Sequence, residues 1–177
     1  MFDFFKRKGT QTIPFEDQLK VLADCGITLS PSVSPEALLQ SFSREEYEKS
    51  PYRLLMCVMG GEGESEIQAG ETGYPSDMIW HFDTECIEDH GDYAAIARRL
   101  SVLAHPALSI EDVQDYVNVE HGEAWLSFKL DGQTYKWIAQ VDNDWVDATV
   151  LSRFAALLAS RATERRFSYI DLGGQDC

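Results

Sequence analysis

The Asp131-Gly132 pair is the tightest local constraint in this chain. It lies between two runs of alternating apolar residues, 124–130 and 133–141, and an Asp-Gly pair in that setting signals a two-residue β-hairpin. Such a turn fixes the register: Leu130 opposite Gln133, Phe128 opposite Tyr135, Leu126 opposite Trp137 and Ala124 opposite Ala139. Those pairs share one face by the period of two, and they are nearly all apolar. The other face carries Lys129, Ser127 and Trp125 opposite Thr134, Lys136 and Ile138, so it is the wetter one. A further run at 116–119, separated by Glu120-His-Gly-Glu123, completes an antiparallel meander.

Helical patterns surround it. Phe15, Leu19, Leu22 and Ala23 mark one face of a helix that opens near Pro14 and stops at Gly26. Ser34-Pro35-Glu36 opens a short helix through Phe42, and Ser43 to Tyr47 extends it or adds a turn. Asp92 is the expected N-cap of a helix over 93–104, with Tyr93, Ile96, Ala97, Leu100 and Leu103 inward and Arg98 and Arg99 in solvent. His105-Pro106 ends that helix, and Ser109 to Asp112 resembles a capping box for one more turn. Asp147 caps a last helix with Val150, Leu151, Phe154, Leu157 and Leu158 on its face. Three further stretches read as strands: 52–59, a continuous apolar run closed by Gly60-Gly61, then 78–82 and 167–172. The expected fold is α+β, a mostly antiparallel sheet with helices packed on one face. A chain of 177 residues is most simply one domain, with 1–12 as a loosely held lead-in and 60–76 as an exposed acidic loop.

Charge narrows the partners. Thirty acids against fifteen bases give a net charge of −15 and a pI near 4.5. That field repels nucleic acid and anionic membrane surfaces and speeds encounter with a basic protein. No stretch of apolar residues is long enough to span a bilayer. The opening Phe2, Phe4 and Phe5 before Lys6-Arg-Lys8 are too few for a stable anchor or a secretory signal. Cys25, Cys57, Cys86 and Cys177 show no disulfide framework and no zinc spacing, with Cys25 and Cys57 expected inside as small hydrophobes. A reducing cytoplasm is the consistent compartment. The sequence implies no cofactor and leaves the oligomeric state open.

One stretch concentrates chemistry: Trp80-His-Phe-Asp-Thr-Glu-Cys-Ile-Glu-Asp-His-Gly-Asp-Tyr93. From Leu54 to Ala97 there is no Lys or Arg, while Glu62, Glu64, Glu66, Glu71, Asp77, Asp83, Glu85, Glu88, Asp89 and Asp92 fall there. Three readings compete. As a binding surface, Trp80 and Tyr93 anchor a partner inside a rim of Asp83, Glu85, Glu88, Asp89 and Asp92. As a metal or acid/base site, His81, Asp83, Glu85 and His90, with Cys86 beside them, supply ligands for a divalent ion or a carboxylate pair. No HExxH, EF-hand, phosphate-binding loop or nucleophile elbow supports that chemistry, so the motifs weigh against an enzyme. As pure structure, the aromatics enter the core and the carboxylates cap turns and the following helix. Asp142, Asp144 and Asp147 read as turn and cap residues, and His105 and His121 as structural.

The strings Trp80 to Tyr93, Asp144-Trp-Val-Asp147 and Gly173-Gly-Gln-Asp-Cys177 resemble those of an uncharacterised family of small acidic bacterial proteins. In size and acidity the chain is also similar to toxin-immunity proteins. The first resemblance implies no activity and transfers no catalytic residue; the second implies an inhibitor-like module. A chain ending at Cys177, directly after such a string, is what a trimmed C-terminus would look like. The functional expectation is a non-enzymatic cytoplasmic module that binds a basic protein.

Overall fold

A computed structural model describes residues 12–62, 73–161 and 164–169. Helices and an antiparallel sheet are both present, so the chain is α+β. Its residues group into two compact units, Met1–His81 and Phe82–Cys177. The expected lead-in and most of the acidic loop, like the end of the last expected strand, lie outside the described residues.

The first unit is helical: α1 Phe15–Asp24, α2 Pro35–Leu38, α3 Arg44–Lys49 and α4 Arg53–Gly60. Phe15, Leu22, Leu38, Tyr47, Leu55 and Met59 form its core. Ser43 closes a full capping box with Glu46 and so starts α3 as a separate helix. Gln18 is wholly buried and fully used. Its amide donates to the carbonyls of Ile13 (2.8 Å) and Tyr47 (3.1 Å), and its oxygen accepts the Tyr52 N–H at 2.8 Å. That last bond holds Tyr52 at φ 64°, the bend that turns the chain into α4. The Tyr47 hydroxyl donates to Leu38 O, and burial pushes its pKa up to about 12.

Two expected strands give way here. Residues 53–60 are helix, not strand. Leu54, Leu55, Met56 and Met59 are helix formers not branched at Cβ, Val58 alone is β-branched, and the deepest side chains, Leu55 and Met59, are four residues apart. Residues 78–82 form no strand; bends at Asp77 and Met78 begin them, with Ser76 Oγ accepting the Met78 N–H. Cys25 is exposed, because it follows the last turn of α1 off the apolar face.

The second unit is a three-stranded antiparallel sheet, β1 Ile110–Asn118, β2 Glu123–Leu130 and β3 Gln133–Ala139, in the order β1-β2-β3. The hairpin register is the expected one at all four pairs. Ser109 starts no helical turn: β1 begins at Ile110, paired to Leu130, and an irregularity between Glu111 and Gln114 absorbs Asp112 at φ 50°. Helices α5 Asp92–Leu103 and α6 Ala148–Arg161 share the inner face. Phe154 of α6 stacks on Phe128 at 5.3 Å, and Asp115, the cross-strand partner of Leu126, reaches the start of α5. Arg99 is 5% exposed rather than in solvent, because it lies one helical step from Ile96 at the border of a wide buried arc. Residues 165–169 carry no strand.

Gly60 gives a sign test. Alanine normally stabilises a helical position by about 1 kcal/mol over glycine. A Cβ on Gly60 would stand 2.6 Å from His81 N and 2.9 Å from Trp80 C, both backbone atoms. Gly60→Ala is therefore expected to destabilise by about 1–3 kcal/mol in urea unfolding. A gain in stability would contradict the packing.

Candidate protein interface

The carboxylates of the focal stretch divide into two groups according to what they touch. Asp83 Oδ1 accepts the Glu85 N–H at 2.8 Å, a local Asx turn. Thr84 to Ile87 then runs antiparallel to Asp144 to Val146, with Val146 N–H on Thr84 O and Ile87 N–H on Asp144 O, both 2.8 Å. Glu85 and Trp145 face each other across that bridge. Asp92 is the first residue of α5 rather than its N-cap. Its carboxylate turns back to accept the N–H groups of Glu88 and Asp89, each at 2.8 Å.

The cap comes from elsewhere in the sequence. Asp115 of β1 accepts Gly91 N–H at 2.8 Å and Ala94 N–H at 3.1 Å, with Gly91 at φ 106°. A carboxylate there satisfies orphan donors of the helix and meets the positive end of its dipole. Asp147 opens α6 by accepting Thr149 N–H, and it also accepts Gln140 N–H, both at 2.8 Å. Burial pushes the Asp147 carboxyl up. The N–H groups of Gln140 and Thr149, the Thr149 hydroxyl and the Arg153 charge outweigh that and hold it below its ordinary value. Tyr93, expected as a surface anchor, is 1% exposed, and its hydroxyl accepts the Asp147 N–H at 3.0 Å. Burial raises its pKa.

Glu85, Glu88 and Asp89 remain as rim residues, and Asp142 and Asp144 join them through the bridge at Trp145. Trp145 is 39% exposed among them. The N–H of His90, then its ring, holds the Asp89 carboxyl below the usual range, with His90 Nδ1 2.7 Å from Asp89 Oδ1. Trp80 and His81 belong to the helical unit, where His81 N–H donates to Gly60 O at 2.9 Å. Among the described residues no three His, Cys, Asp or Glu side chains come together as metal ligands; of the expected set, Asp83, Glu85 and His90 lie in the second unit and His81 in the first.

His90 connects the rim to a surface that the sequence reading passed over. Its ring lies 4.9 Å from Tyr116, which stacks in parallel with Trp125 at 6.3 Å, and Lys136 Nζ sits 4.1 Å above the Trp125 ring. These residues lie on the sheet face away from α5 and α6, beside Ile138, which is 66% exposed. Trp125 and Ile138 on the nominally polar side of a hairpin were the sequence signal for this face. Comparison with protein-family models, curated proteins and solved structures gives no match.

The hydrogen bonds to Asp147 link stability to pH. A carboxyl held low in the folded state contributes stability above its unfolded value, about 4, and loses it as pH falls through the folded value. Urea stability is expected to drop on acidification below about pH 4, and Asp147→Asn should flatten part of that drop. An unchanged slope would show that these hydrogen bonds do not hold the charge. Asp115→Ala should cost about 1–2 kcal/mol through the lost cap.

Proposed function

We propose that this protein is a non-enzymatic binding module that engages a basic protein through the outer sheet face and the acidic loops bordering it. The observation that carries the reading is the contact of His90 with Tyr116. It joins an aromatic and aliphatic floor (Tyr116, Trp125 and Ile138, with Lys136 over the Trp125 ring) to a rim without Lys or Arg that holds Glu88 and Asp89. Protein interfaces are built that way, with apolar anchors inside a polar border. The net charge of −15 supports a basic partner, since it accelerates encounter with positive surfaces and disfavours phosphate-rich ones. An inhibitor or immunity-type role, in the cytoplasm, is the form of this function that the chain's size and acidity support. Asp83, Asp92, Asp115 and Asp147 then serve the fold, while Glu85, Glu88, Asp89, Asp142 and Asp144 serve the partner.

The test is affinity capture on the immobilised full chain, run beside a Trp125→Ala/Ile138→Ser variant, which leaves the net charge unchanged and is shown by circular dichroism to fold. The expected result is a basic protein that the wild type retains at about 0.05 M salt and releases by about 0.5 M. The variant should hold it at least about 30-fold more weakly, the scale of a lost anchor. Retention unchanged in the variant would remove the sheet face, and retention insensitive to salt would remove the charge argument. Glu88→Gln should lower affinity at low salt without changing urea stability, whereas Asp92→Ala should lower both, because Asp92 holds the loop that presents Glu88 and Asp89.

A further inference from the structure

The helical unit carries a separate recess that plays no part in the sheet-face reading. Phe15, Leu19, Pro35 and Leu39 line a cavity of about 320 Å³ between α1 and α2, with Glu16, Glu36 and Arg44 at its mouth. That volume is at the small end of ligand sites and accommodates one aromatic ring with part of a backbone. The charges at the mouth decide what can accompany the ring. Arg44 is already engaged: its Nη1 is 2.5 Å from Glu16 Oε1, and its guanidinium lies 5.5 Å from the centre of the Phe15 ring. Glu45 and Glu48 add further negative potential around it. An incoming anion would meet a neutralised arginine and the exposed Glu36 carboxylate, whereas an incoming cation meets a net negative border.

We propose that this groove docks an aromatic side chain of a peptide segment that carries a lysine or arginine next to it, the ring over Leu19 and Leu39 and the cation at Glu36. The apolar floor supplies attraction for the ring, and the acidic mouth discriminates between segments of opposite charge. The groove needs neither the sheet face nor its acidic loops, so the two surfaces stand or fall independently.

Amide chemical shifts of the isotope-labelled full chain, titrated with N-acetyl-Phe-Lys-amide, N-acetyl-Phe-Glu-amide and N-acetyl-Ala-Lys-amide, test this. The first ligand is expected to shift the Leu19 and Leu39 amides saturably. The other two should bind at least about tenfold more weakly, one for want of the charge and the other for want of the ring. Glu36→Lys, an exposed change, should reverse the preference between the Phe-Lys and Phe-Glu ligands, while Leu39→Glu should abolish binding by both. Absence of a saturable shift at Leu19 and Leu39 with the Phe-Lys ligand would overturn the proposal. So would equal affinity for the Phe-Lys and Phe-Glu ligands, or a preference unaltered by Glu36→Lys. Shifts confined to residues 116–138 would likewise overturn it, because they would report the sheet face instead.

Discussion

The carboxylate of Asp115 is the interaction on which the sheet unit depends most. It occupies an inward position of β1, opposite Leu126, where an apolar side chain would be the ordinary choice. A charge at such a position is costly unless it is well bonded, and here the N–H groups of Gly91 and Ala94 bond it. The same bonds satisfy donors that the first turn of α5 cannot satisfy internally. One side chain thus fixes where α5 meets the sheet. From that point Asp92 folds the preceding loop back through Glu88 and Asp89, and His90 is set against Tyr116.

This arrangement explains why a stretch so rich in titratable groups gathers no metal-ligand cluster among the described residues. Asp83 and Asp92 bond backbone N–H groups close in sequence, which draws each carboxylate toward its own loop and away from a common centre. The residues left at the border, among them Glu88, Asp89 and Asp142, are exposed and set a negative field beside the outer sheet face. The density of acids in the sequence therefore reflects two separate demands, loop construction and surface charge. Only the second bears on the proposed partner.

The hairpin was legible because two independent signals, the Asp-Gly turn and the period-two pattern, specify the same register. The face of α6 was legible for the similar reason that its Asp147 cap and its periodicity agree. On α1, Phe15, Leu19 and Leu22 turn inward, but Ala23 is exposed and Gln18 takes a buried place. Residues 53–60 were not, since a short apolar run reads equally as a buried strand or a buried helix, and only its packing decides. The cap of α5 was out of reach for another reason: Asp115 lies 24 residues beyond Gly91, so a local search finds Asp92 instead. The sequence offered Tyr93 two roles, the inward face of α5 and a surface anchor, and the bond of its hydroxyl to the Asp147 N–H goes with the inward one. The outer sheet face was half legible. Trp125 and Ile138 break the polar pattern of their side, while the approach of His90 to Tyr116 depends on the long-range cap.

Amide hydrogen exchange on the full chain, compared with an Asp115→Ala variant that removes the acceptor, is the most direct test of the Asp115 cap. The Glu88, Asp89, Gly91 and Ala94 N–H groups are expected to be protected well beyond the level of an exposed loop. The variant is expected to lose protection at all four together, because Asp115 anchors the loop that Asp92 folds. Exchange at the rate of an unstructured peptide in the wild-type protein would contradict that anchoring, as would a loss in the variant confined to Gly91.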